Sequence, residues 1–174
     1  MNAIQLLRDQ LKSAHATMEG TMADVTDKTA HFKRIGEAIP VGAAYAHAVW
    51  GEDMVVSTML ANKKPLAADH SKTGLSKPMP SVKEWDKHAS WYKNVKVDLP
   101  KLRKFAKGVY KATDVYLASL KEKDLDKKVD LSAMGMGTQS LAWLITNFVI
   151  LHIANLSGEV SAAKGVQGLK GYPF

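Results

Sequence analysis

The chain has 174 residues and a mass of 19.0 kDa, the size of one domain. Apolar residues make up 46% and charged residues 24%, a globular composition that argues against disorder. The formal charge is +7, and the absence of cysteine excludes disulfides, iron–sulfur clusters, thiolate zinc sites and a cysteine nucleophile.

The first predicted helix runs from about Asn2 to Asp24. Leu7, Leu11, Ala14, Met18 and Met22 recur at spacings of four and three, so one face is apolar. Gly20 weakens this helix by about 1 kcal/mol relative to alanine without ending it. Val25 to Ile39 reads as a loop with at most one helical turn. Pro40 suits the first turn of a second helix, whose ladder includes Val41, Tyr45, Ala48, Val49, Val56, Met59 and Leu60. Lys63-Lys64-Pro65 stops it after Asn62.

Residues 63–80 hold Pro65, Gly74, Pro78 and Pro80 and read as a loop. Ser81 and Glu84 have capping-box spacing, so a short helix should follow through Trp85 to about Tyr92. Asp98 is a good N-cap for a third long helix, with Leu102, Phe105, Ala106, Val109, Thr113, Tyr116, Leu117 and Leu120 on its inner face. Val129 to Leu131 can form a brief extended piece. Thr138 is the expected cap of a fourth long helix that reaches Lys164 and stops at Gly165. The tail ends in Tyr172, Pro173 and Phe174, which should pack on the helices.

These elements predict an all-α fold: a single four-helix bundle over residues 1–174. The connection between the second and third long helices spans about 35 residues, against the 2–8 usual for a tight antiparallel turn. It should cross the bundle, giving an up-down-down-up order. The opening residues MNAIQLLRDQLK have no apolar core before Arg8 and Asp9. The longest apolar run, Leu141 to Leu156, is interrupted by Thr146, Asn147, His152 and Asn155 and falls short of about 20 residues. The expectation is a soluble cytoplasmic protein with no membrane partner.

Charge is unevenly placed. Residues 1–62 carry net −2, residues 63–128 carry net +9, and residues 129–174 are balanced. A basic middle can attract phosphates or an anionic substrate. Of its seventeen cations only Arg103 is arginine, which disfavours specific base reading and favours a solvated lysine-rich face.

Two histidines stand out because they lie on apolar helix faces, where an imidazole needs a partner. His47 is in AYAHAVWGEDM and His152 in VILHIANLSGEV. They could be metal ligands on facing helices or neutral core histidines bonded to a carbonyl or water. Glu52 and Asp53 follow His47. Glu159 is two turns beyond His152, and Asn155 about one. Each is a candidate oxygen ligand or an ordinary surface group. Ser57, Ser140 and Ser157 lack a nucleophile-elbow context, and no phosphate-binding glycine loop is present. His15, His31, His70 and His88 have polar neighbours and read as surface residues. Trp85, Trp91 and Tyr92 lie among lysines and could stack on a base or line a pocket, but packing of the crossover onto the bundle is the favoured reading.

PVGAAYAHAVWGEDM and HIANLSGEVSAAKGVQGLKGYPF, with the opening helix, resemble the DinB-like (DinB/YfiT) superfamily over nearly the whole chain. The resemblance implies a four-helix bundle, often a homodimer, with nickel or zinc held by one histidine of the second helix and two of the fourth at i, i+4. Some relatives are thiol S-transferases using bacillithiol, mycothiol or glutathione, and one is a mycothiol-dependent maleylpyruvate isomerase. By position, His47 and His152 match two of the three ligands. The third position is Leu156, which cannot ligate, so low metal occupancy is expected unless Asn155, Glu52 or Glu159 completes the site. Three functions follow: metal-assisted transfer of a small thiol onto an electrophile; a non-catalytic bundle that binds a small ligand or serves as a dimeric interaction module; and, least supported, non-specific nucleic-acid binding.

Overall fold

The computed structural model describes residues 2–33, 38–81 and 84–174, the side chain of Trp85 excepted. Residues 34–37 of the first loop, Val82 and Lys83 of the capping box, and the packing expected of Trp85 lie outside the described residues.

Helix α1 (Ala3–Met22) starts where the Asn2 side chain accepts a hydrogen bond from Gln5 N at 2.8 Å. Its apolar ladder buries Leu7, Leu11, Ala14, Met18 and Met22. Full burial of a side chain such as Met18 contributes about 1.5–3 kcal/mol. A single turn, α2 (Asp27–Ala30), follows behind a Thr26 cap. Helix α3 (Val41–Asp53) begins just after Pro40 rather than including it. The Pro40 carbonyl accepts the first bond from Ala44 N at 2.9 Å. The helix continues as a π-helical stretch, Met54–Leu60, in which Ala61 N donates to Val56 O, five residues back. Asn62, at φ 50, ends it.

The long connection is pinned at both ends. The Asp53 carboxylate is buried and accepts from Ser57 Oγ, Leu66 N and Ala67 N, which holds the turn Leu66–Ala68 against α3. Gly74 sits at φ +74, and a Cβ there would lie 2.7 Å from Leu102 N, so the close approach of the connection to the next helix requires glycine. Leu75 bridges Val97 in antiparallel fashion. Helix α4 (Trp85–Asn94) lies between these anchors. The Glu84 carboxylate accepts from Ser81 N and Ser81 Oγ, so part of the predicted capping box is formed. Trp91 is buried and donates from Nε1 to Lys77 O.

Helix α5 (Leu99–Ser119) starts at the expected Asp98 cap, which accepts from Lys101 N. The predicted extended piece is strand β1 (Lys128–Asp130), paired antiparallel with β2 (Thr138–Ser140). Thr138 is therefore in a strand, opposite Asp130, and Ser140 takes the capping role by accepting from Trp143 N. The last helix is built from α6 (Leu141–Leu144), a π-helical stretch Ile145–Ile150 and α7 (Leu151–Gly165).

The Leu141–Gly165 rod is 25 residues long and contains an 18-residue window with a mean hydropathy of 1.5, so by length and composition alone it could cross a membrane. The helix extends nine residues past the Leu141–Leu156 apolar run, to Gly165. The polar residues within it do not end the helix, and it packs against α1 and α3. The main helix contacts pair α1 and α3 each with both α5 and α7. Met18, Met22, Tyr45, Leu102, Leu144 and Ile153 are fully buried between them. Lys164 is buried as well, and its ammonium donates to Thr21 O at 2.6 Å and to Asp24. The tail packs as expected: a Cβ on Gly20 would lie 2.8 Å from Pro173, so Gly20 makes room for the chain end.

Candidate functional site

His47 sits in the middle of α3 and His152 in the first turn of α7, and the packing of these helices brings them together. Their Nε2 atoms are 3.0 Å apart, with ring centroids 4.9 Å apart and planes at 70°. The Tyr92 hydroxyl, from α4, is 3.0 Å from His47 Nδ1. One Nε2 must carry the proton and the other must accept it. Two directions are therefore available. In one, Tyr92 O–H donates to His47 Nδ1 and His47 Nε2–H donates to His152 Nε2. In the other, both bonds reverse. The rings do not compete for one proton; they form a three-member chain whose polarity can switch.

Burial is the main reason His47 is held neutral, with its pKa lowered to about 3; nearby His152 and then His88 add to the effect. Burial also lowers the pKa of His152. The Tyr92 hydroxyl is pushed up to about 12 by burial and then by the charge of Glu159. All three groups are therefore neutral at pH 7. Gly51, one turn beyond His47, makes the approach of α7 possible: a Cβ there would be 3.1 Å from His152 Cε1. The sequence gives Gly51 no role and offers Tyr92 only as a residue that could line a pocket, not as a partner of His47. A glycine four residues after a histidine inside a helix was the available signal for the first.

The other candidates are dispersed. Leu156 is buried one turn from His152 on α7, while Asn155 and Glu159 are exposed. Glu52 is fully buried, and its Oε2 is 2.8 Å from His15 Nε2. His15 stacks on Tyr110 at 3.7 Å, and Tyr110 and Tyr45 both donate to Glu19. Glu52 thus belongs to a separate polar cluster among α1, α3 and α5. Asp53 is occupied with the connection.

Three of the histidines expected on the surface have inward roles. His15 binds Glu52, His31 Nε2 accepts from Val97 N, and His88 is buried beside Tyr92 with Nε2 3.2 Å from Ser81 O.

A resident zinc or nickel normally needs three protein ligands with one position open. Among the described residues no three histidine, aspartate or glutamate side chains converge. The two imidazoles present are already joined to each other and to Tyr92, and the third position is hydrocarbon. This donor set does not fit a resident metal. A cavity of about 270 Å³ adjoins the chain of hydrogen bonds, lined by Ile39, Pro40, His88 and Tyr92 among others.

A family model described as the DinB superfamily matches residues 10–154. A crystal structure of a conserved protein from Enterococcus faecalis matches with a TM-score of 0.79 at 21% identity, covering 94% of this chain and 95% of that one. At that identity the likeness concerns the fold. No curated protein matches the sequence.

Proposed function

This chain belongs to the DinB superfamily, and from that premise we propose that it is a member that works without a resident metal, binding a small polar molecule beside the His47–His152–Tyr92 chain. The observation that carries the reading is the closed hydrogen-bonded chain itself, with Leu156 where a third ligand would stand. Magnitudes favour binding over catalysis. A free thiol has a pKa of about 8.5, so moving its proton to an imidazole of pKa about 3 is uphill by about 7 kcal/mol. His47 is a hydrogen-bonding group and a poor general base. A ligand in the adjoining cavity would meet the Tyr92 hydroxyl, whose bond to His47 can run either way.

The rest of the proposal concerns setting. The helices run up-down-down-up: Arg8 with Asp114 and Arg103 with Met22 O support antiparallel α1 and α5, and Tyr45 with Glu19 and Glu52 with His15 support antiparallel α1 and α3. The whole of residues 1–174 is one domain, cytoplasmic and homodimeric. Leu151 and Phe174, 45% and 84% exposed, line one groove with α1 and favour self-association. Nucleic-acid binding is weak and without sequence preference.

The second reading is thiol transfer onto a small electrophile, assisted by a metal. The facing Nε2 atoms favour it and Leu156 opposes it. Turnover assays with glutathione, bacillithiol and mycothiol, each with and without zinc or nickel, test both readings. The proposal expects no metal-dependent thiol consumption. It also expects saturable binding of a small polar ligand, observed by NMR and lost in Tyr92→Phe. Metal-dependent turnover by the natural chain would replace it with the second reading.

A further inference from the structure

A cavity of about 940 Å³ lies away from the imidazoles, between the start of the long connection and α5, and shares no lining residue with the Tyr92–His47–His152 chain. Its rim carries Lys64, Lys72, Lys101 and Lys104 against one carboxylate, Asp69. Lys72 is paired with Asp69 at 2.8 Å and Lys101 with Asp98 at 3.4 Å. Lys64 and Lys104 have no carboxylate partner among the described residues and are exposed. The floor is apolar, with Pro65, Leu66 and Phe105, and Leu66 is 44% exposed although it points into a concave site.

The wall is also built in advance. Leu66 N and Ala67 N are held by the buried Asp53 carboxylate, and the far end of the connection is fixed where Asp98 N donates to Gly74 O at 2.7 Å. A buried carboxylate spent on ordering two backbone amides of a surface turn lowers the entropy that a ligand would otherwise have to overcome.

We propose that this cavity is a binding site for an amphipathic organic anion: an apolar ring or branched chain carrying carboxylate, sulfonate or phosphate groups. The apolar body lies on Leu66, Pro65 and Phe105, and the acid groups reach Lys64 and Lys104. A cavity of this size with an apolar floor and a few placed charges has the usual make-up of a small-molecule site. A purely apolar occupant would leave the two exposed ammonium groups unused. A purely ionic one would leave the exposed leucine unused. The proposal does not rest on the reading of the histidine site.

The test uses the full chain and three probes: anilinonaphthalene sulfonate, the uncharged phenylnaphthylamine, and tripolyphosphate. The sulfonate should bind at one site per chain, at least tenfold tighter than either of the others. The double variant Lys64→Glu, Lys104→Glu should weaken it at least tenfold, and Lys64→Arg, Lys104→Arg should retain it. Amide shifts in a two-dimensional NMR spectrum should map to Leu66, Phe105 and Gly108. Equal binding of the uncharged probe, equal binding of tripolyphosphate, or indifference to the double glutamate variant would overturn the proposal. So would tighter competition by a twelve-nucleotide single strand, which would mark the lysines as a nucleic-acid track. Both lysines are exposed, and circular dichroism checks that the variants fold; Lys64→Gln, Lys104→Gln serves if the glutamates do not.

Discussion

Replacing Leu156 by histidine should create a metal site that the natural chain lacks. In a tetrahedral site with zinc–nitrogen bonds of 2.0–2.1 Å, two ligand nitrogens stand about 3.4 Å apart. The His47 and His152 Nε2 atoms are at 3.0 Å, so they need to open by only a few tenths of an ångström. Protons do not compete, because His47 is neutral well below pH 7. Position 156 is one helical turn from His152 on the same face. Without metal the variant loses a buried leucine and gains a buried imidazole, which together should cost about 2–3 kcal/mol. Zinc at one hundred times its dissociation constant returns about 2.7 kcal/mol. The expected result is a variant less stable than the natural chain in chelator, restored to near parity by zinc, while zinc leaves the natural chain unchanged. Chemical denaturation with and without zinc, together with calorimetric titration, measures both effects. One tightly bound zinc per natural chain would refute the reasoning by revealing a third donor. Failure of the variant to bind would show that the imidazole pair cannot open.

Other outcomes follow from the same geometry. The folded state holds His47 neutral to about pH 3, whereas an unfolded histidine protonates near pH 6.5. Stability should therefore fall by about 1.4 kcal/mol per pH unit once the pH is below 6.5, reaching about 2 kcal/mol at pH 5. Denaturation at a series of pH values, with His47→Gln flattening the slope, checks it. Tyr92→Phe removes the partner of His47 Nδ1 and should cost about 1–3 kcal/mol by urea denaturation. Gly51→Ala gains about 1 kcal/mol of helix propensity but places a Cβ 3.1 Å from His152 Cε1. Its stability should be nearly unchanged while the imidazole NMR signals of His152 move. Asp24 is held below the usual carboxylate range, chiefly by its hydrogen bond to Lys164, so its contribution is present above about pH 4 and lost as the pH falls through the lowered value. Asp24→Asn should remove that part of the acid sensitivity.

Much of the fold was legible because the helices obey local rules. The α1 ladder and the Asp98 cap each depend on a few neighbouring residues. Thr138 misled because a tertiary pairing with Asp130 outranked its capping propensity. The site was half legible. His47 and His152 stood out as imidazoles on apolar faces, and the helices place them face to face. Tyr92 did not, because its approach to His47 depends on how α4 folds back over a 45-residue separation. His15 and Glu52 concealed each other in the same way: each looks like a surface group until the other arrives from a different helix.

The two π-helical stretches affect how this chain should be aligned with its relatives. A π turn takes up one more residue than an α turn. Met54–Leu60 and Ile145–Ile150 therefore each offer a place where one residue can be present in one family member and missing in another without breaking the helix. An alignment drawn without a gap there would rotate every downstream position by about 100°, one residue's turn of an α-helix. Spacings counted within α3 before the first stretch, or within α7 after the second, are immune. His47 with Gly51, and His152 with Leu156, both fall inside those safe intervals. The four-residue spacing from His152 to Leu156 is therefore independent of how either π stretch is aligned.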